Sequence, residues 1–220
     1  MKKQLTKLAF AAALGLAITL TACEEKEAAK AGGGTFTDSR DGKEYKTVKI
    51  GEQVWMAENL NFAAEDSKCY EDNASNCDKY GRLYNWEMAK EVCPNGWHLP
   101  SDAEWQTLVD FAGGGEIAKK KLKAKNGWEN FERKPDNGTD DYGFSALSGG
   151  GMFYVFTDDD YRYDFDGAGL YGYWWTATKK NSHSFINCYF DGVGMDEGKD
   201  EDGNGGDISR YFHSVRCIQN

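Results

Sequence analysis

The chain has 220 residues, 36 of them acidic and 26 basic, with a formal charge of −10 and 40% apolar composition. That length holds one domain of ordinary size plus a leader. The acidity excludes nucleic acid and anionic lipid headgroups as electrostatic partners and leaves neutral polysaccharide, cations and basic protein surfaces.

Lys2, Lys3 and Lys7 form a basic opening, and an apolar run from Leu8 to Leu20 follows. The run is too short to cross a bilayer but has the length of a signal-peptide core. It ends in Leu20-Thr21-Ala22-Cys23. This is similar to the bacterial lipobox, where cleavage before the cysteine frees its thiol for acylation. Residues 1–22 are therefore read as a lipoprotein signal peptide and Cys23 as the lipidated residue. More than one acyl chain gives a stable membrane anchor. Glu24 rather than aspartate comes next, which under the enteric sorting rule points to the outer membrane and cell surface. Residues 23–34 are charged, then small, then glycine, and read as a flexible tether. Residues 35–220 are the globular part.

Glu44 to Ile50 and Gln53 to Leu60 read as two strands about Gly51-Glu52, with Val48, Ile50, Val54 and Met56 on the buried face. Asn59 to Ser75 reads as loop. Cys69 and Cys77 enclose a short polar loop and are expected to pair. Leu83 to Val92 has helical spacing and is bounded by Pro94. Pro94-Asn95-Gly96 is a turn signal, and Trp97 and Leu99 alternate with His98 as in a short strand. Ser101 and Glu104 form a capping box. The helix it opens carries Trp105, Leu108, Val109 and Ala112 on one face, and Gly113-Gly114-Gly115 ends it. Glu116 to Lys125 is basic with little apolar face and reads as solvated surface. From Trp128 onward glycine and aspartate punctuate short aromatic runs, a β and loop composition. The pattern is α+β, with two short helices packed on small antiparallel sheets, loop-rich and disulfide-stapled.

Five stretches carry a family likeness: Asp41 to Leu60, Tyr80 to Trp86, Cys93 to Trp105, Tyr171 to Thr178 and Ser214 to Cys217. Together they resemble the Fibrobacter succinogenes major paralogous domain of bacterial surface lipoproteins, over roughly Thr37 to the C-terminus. The resemblance implies a C-type-lectin-like fold. His98 to Trp105, Phe144 to Phe153 and Ser214 to Cys217 are also similar to the formylglycine-generating-enzyme group within that fold. It further implies that Cys93 pairs with Cys217, tying the last strand to the central turn, and that Trp174 and Trp175 belong to a core strand. His213 stands where the family has an apolar residue. Of the six cysteines, Cys188 is then left over beside Cys23 and reads as a buried, inert thiol. The family brings no settled activity.

Two leads carry chemistry. In Asp196 to Asp207, the residues Asp200, Asp202, Asn204 and Gly205 match the first half of an EF-hand-type loop, whose alternate oxygens converge on Ca2+. Tyr211 occupies the closing position, so Asp207 would have to substitute. The bland reading is a solvated acidic loop. Asp158-Asp159-Asp160, with Asp164 and Asp166, is a weaker second run. The other lead is aromatic. Tyr161, Tyr163, Tyr171 and Tyr173, with Tyr154 nearby, would stack on sugar rings beside carboxylates that accept hydroxyls. The lectin sugar-binding triplets are absent. There is no H-E-x-x-H, G-x-S-x-G or C-x-x-C, and His98 reads as structural. Formylglycine generation needs a pair of free cysteines, which the expected bridges do not leave. The expected function is a lipid-anchored, non-enzymatic binding or adhesion module for polysaccharide or a surface protein. The alternatives are an enzyme of the formylglycine-generating or glycoside-acting kind, and a structural envelope protein without a ligand.

Overall fold

Lysine and threonine alternate with tyrosine, valine and isoleucine from Glu44 onward, and this stretch forms an antiparallel hairpin of β2 (Glu44–Ile50) and β3 (Gln53–Met56). Gly51 turns it with φ +60, a conformation that favours glycine, and a Cβ there would touch the Phe111 ring at 3.0 Å. β1 (Gly33–Thr37) pairs with the outer edge of β2, and β12 (Ile218–Gln219) lies between β3 and β5 (Trp97–His98), in the order β1-β2-β3-β12-β5. The structure, a computed structural model, describes residues 33–130, 136–157, 160–179, 185–189, 195–197 and 210–220. Cys23 with the leader and most of the tether, and Asp200, Asp202, Asn204 and Asp207, lie outside the described residues.

A second five-stranded sheet runs β10 (Met195–Glu197), β9 (Phe185–Tyr189), β8 (Tyr173–Lys179), β11 (His213–Ser214), β4 (Leu83–Tyr84). Its β8–β11 pair is parallel and its other pairs are antiparallel. β6 (Gly149–Thr157) and β7 (Asp160–Ala168) make a separate hairpin. The described residues form four α-helices: α1 (Ala74–Tyr80), α2 (Trp86–Ala89), α3 (Asp102–Ala112) and α4 (Gly115–Leu122). The architecture is α+β with small, largely antiparallel sheets and two disulfides, Cys69–Cys77 and Cys93–Cys217. Among the described residues no helix is long and apolar enough to cross a membrane.

Several expectations are corrected. Val48, Ile50 and Met56 are buried, but Val54 is only half-buried, and Trp55 beside it is fully buried. The first sheet is covered on both faces, so alternation alone misses half of its core. Leu83 and Tyr84 do not begin a helix. They pair with Ser214 and His213, and the helix starts only after Asn85, whose side chain accepts from the Met88 N–H. Helix α1 rises out of the expected loop region under an Asn73 cap. The Glu116 to Lys125 segment is not a solvated surface. Ala118 and Leu122 are buried, and so are the stems of Lys119 and Lys123. Their ammonium groups end on Glu116 at 2.9 Å and Asp136 at 2.5 Å, and Lys123 also lies over the Trp128 ring. Long lysine stems cover apolar surface while their heads stay paired, and sequence hydropathy misjudges this. The capping box at Ser101 and Glu104 forms as read.

Where the sheets meet, Arg216 is fully buried with no carboxylate bonded to it among the described residues. Its Nε and Nη2 donate to one acceptor, Asn59 Oδ1, at 3.0 and 2.6 Å. Nη1 donates to the carbonyls of Phe144 and Met56, and the guanidinium lies over the Phe144 ring at 4.7 Å. Trp174 Nε1 donates to the same Asn59 oxygen at 2.8 Å. Asn59 Nδ2 donates to the Tyr80 carbonyl and to Ser214 Oγ. Burial pulls the Arg216 pKa down to about 9, which leaves the group charged at neutral pH. Replacing Asn59 with leucine strands a buried cation and an indole N–H together. We expect Asn59→Leu to cost about 3–5 kcal/mol of unfolding free energy, measured by denaturant titration. A loss below about 1 kcal/mol would show that the amide is not the principal acceptor.

Candidate functional site

The β6–β7 hairpin is positioned from its base. Gly150 has φ +63, and a Cβ on it would stand 2.5 Å from the Asp166 carbonyl, so only glycine lets the strands close there. Met152 exchanges backbone hydrogen bonds with Phe212, and Gly150 donates to the Tyr171 carbonyl. Below lies a small apolar cluster of Tyr70, Leu83, Met152 and Phe212, with Phe165 packed against it. Above that base the hairpin carries a partly exposed aromatic pair. The register sets Tyr163 across from Tyr154, with ring centroids 5.1 Å apart and edge to face. Tyr163 is 50% exposed. The Arg210 guanidinium lies over the Tyr154 ring at 4.4 Å. Arg162, Asp164 and Asp166, all exposed, point to the opposite face.

The four tyrosines expected to bind a ligand do not form one surface. Tyr161 and Tyr163 share a face of β7 by register, and the Tyr161 side chain lies outside the described residues. Tyr173 opens β8 of the neighbouring sheet, Tyr171 lies in the turn before it, and both are half-buried with ring centroids 6.0 Å apart. Tyr173 packs edge to face on Phe153 and stacks on His213 at 5.2 Å. Phe153 and Arg210 were not among the candidates and Tyr154 was named only beside them, although the alternation Met152, Tyr154 against Phe153, Val155 is readable once β7 is recognised as its partner. Trp174 and Trp175 are fully buried.

His213 closes the floor between these groups. Its ring lies parallel to Trp175 at 4.4 Å, and neither ring nitrogen has a hydrogen-bond partner among the described residues. Burial pushes its pKa down to about 3, so the imidazole is neutral and acts as an aromatic plate. It thus packs as an apolar residue would. His98 is different. It bridges Asn220 Oδ1 at 2.7 Å and Glu104 Oε1 at 2.9 Å, tying the C-terminus to the capping box. Burial raises the Glu104 carboxyl, but bonds from Ser101 and His98 outweigh it and hold the group below its usual range.

Elsewhere a cleft of about 340 Å³ lies between β2, β3 and α1, lined by Lys43, Lys46, Lys79, Glu44, Glu58 and Asp78. The amide nitrogens of Asn59 and Asn61 in its wall are engaged by backbone carbonyls, so little buried donor capacity faces it. No group of three or more His, Cys, Asp or Glu among the described residues could hold a metal. Cys188 lies in β9, with its backbone opposite Trp174 and Met195.

These features define a disulfide-stapled α+β domain with an aromatic hairpin beside its second sheet. The chain belongs to the Fibrobacter succinogenes major domain family, whose profile matches residues 48–219. No curated protein and no solved structure matches it.

The neutral histidine sets a pH dependence. Its folded pKa is about 3 against an ordinary 6.5, so between those values the unfolded chain takes up a proton that the folded one does not. Stability is therefore lost as pH falls below 6.5, by up to about 1.4 kcal/mol per pH unit from this group alone. His213→Phe should remove that component, measured as a flatter unfolding free energy between pH 6.5 and about 5.5, above the main range where the carboxylates protonate. Parallel pH profiles for the two proteins would show that His213 is solvated.

Proposed function

We propose that the protein is a lipid-anchored module of the bacterial cell surface that binds polysaccharide without catalysis, on a C-type-lectin-like fold. The observation that carries this reading is the half-exposed Tyr163 ring, edge to face with Tyr154 on a hairpin whose base is fixed. Aromatic faces of this kind stack on the apolar faces of sugar rings, and the flanking Arg210 supplies a hydroxyl partner. The fold reading is supported by the terminal strand set between two others and tied back by Cys93–Cys217. The anchor reading is supported by the lipobox-like sequence ending at Cys23. Against an enzyme of the formylglycine-generating kind stands the use of Cys69, Cys77, Cys93 and Cys217 in bridges, which leaves Cys188 without a thiol partner in the processed domain.

A glycan array probed with the full chain, with and without EDTA, tests the reading. Polysaccharide binding should weaken about tenfold or more in Tyr163→Ala and Tyr154→Ala. Loss of binding in EDTA would assign Ca2+ to the Asp200, Asp202, Asn204 and Asp207 loop. Binding that is unchanged in both tyrosine variants would move the site away from the hairpin. Separately, Cys23→Ser should abolish incorporation of labelled palmitate and release the protein from the membrane fraction; retention of label would place the acyl chain elsewhere.

A further inference from the structure

Strand β7 pairs with β6 along one edge, and no strand covers its other edge among the described residues. The pairing runs out to Thr157 opposite Asp160. Antiparallel alternation counted from that closing pair turns the N–H and C=O groups of Tyr161, Tyr163 and Phe165 away from β6. Arg162 and Asp164 side chains are 64% and 54% exposed. The outward groups from Tyr161 to Phe165 are a template for another strand, and beyond them the Gly167 carbonyl already accepts from Leu170 and Tyr171.

The charges say which strand fits. One face of β7 reads Asp160, Arg162, Asp164, Asp166, and the other reads Tyr161, Tyr163, Phe165. An edge of a single sign would repel its own copy. This one is self-complementary in one antiparallel register, with a two-fold axis at Tyr163. There Arg162 faces Asp164 of the second copy, twice by symmetry, while Tyr163 faces Tyr163 and Tyr161 faces Phe165. All the outward backbone groups named above then pair. Moving the axis to Arg162 sets that residue against itself, and like charges directly opposite destabilise a sheet. Moving it to Asp164 sets Asp164 against itself and calls on Gly167, whose carbonyl already accepts from Leu170 and Tyr171. The matched charges are solvent-exposed, so the association is weak and salt-sensitive.

We propose that the β7 edge is a homodimer surface, joining two hairpins into one four-stranded sheet, isologous about Tyr163. On one side of that sheet the Tyr154 and Tyr163 rings of both copies form a continuous aromatic platform. The pairing itself does not depend on any sugar ligand.

Sedimentation equilibrium of the full chain in a density-matched detergent tests this. The wild type should show a monomer–dimer equilibrium within a concentration series reaching about 1 mM. Arg162→Asp places aspartate opposite Asp164 and should raise the dimer dissociation constant at least about tenfold. The double variant Arg162→Asp/Asp164→Arg restores opposite charges and should return it to within about threefold of wild type. Both positions are exposed, and unchanged thermal melts confirm intact folding. A wild type monomeric throughout overturns the proposal, as does an Arg162→Asp variant that dimerises like wild type or a double variant as weak as the single. Glycan binding lost with dimerisation intact would count against the polysaccharide reading and not against this one.

Discussion

One carboxamide oxygen holds the centre of this fold. Asn59 Oδ1 takes hydrogen bonds from both sides of the Arg216 fork and from the Trp174 indole. A guanidinium stripped of water normally calls for a carboxylate. Here the compensation comes from neutral dipoles: the amide of Asn59, the carbonyls of Met56 and Phe144, and the face of the Phe144 ring. Neutral acceptors are cheaper to bury than a second charge, but they must all be in place at once. The residues that supply them come from β3, the segment just after it and the loop before β6, the Trp174 donor comes from β8, and the amide nitrogen of Asn59 reaches α1 and β11. The node therefore locks the two larger sheets together, and the aromatic hairpin is mounted on that frame through Phe212 and Tyr171.

Local chemistry was legible in the sequence. Strand alternation from Glu44 to Ile50, the Ser101–Glu104 cap and the short Cys69–Cys77 loop each depend on residues close in the chain. The second bridge was reached through family resemblance, because its cysteines are 124 residues apart. The Asn59–Arg216 contact, 157 residues apart, joined two motifs with no local sign that they meet. The errors have the same origin. Leu83 and Tyr84 fit a helix by spacing but are drawn into a sheet by His213 and Ser214. The lysines of α4 look like solvent-facing charge until Asp136 and Trp128 are brought over them.

The candidate site divides along the same line. Alternate positions in one strand share a face, so Tyr161 and Tyr163 could be grouped from sequence. Tyr171 and Tyr173 could not be separated from them, since nothing local says that they lead into another sheet. The structure gives the two pairs different work. Tyr173, with Phe153 and His213, fills space between the sheets. Tyr163 is left outside that packing. His213 shows how a titratable ring is tolerated in the core: it gives up its charge and stacks.

The last strand has a consequence for the order of assembly. β12 is not an edge. Ile218 stands between Trp55 and His98, and Cys217 is already bridged to Cys93. Without β12 the first sheet has a gap in its middle, between β3 and β5. The sheet is therefore expected to close by insertion of a strand distant in sequence between two others, rather than by growing outward from its N-terminal hairpin.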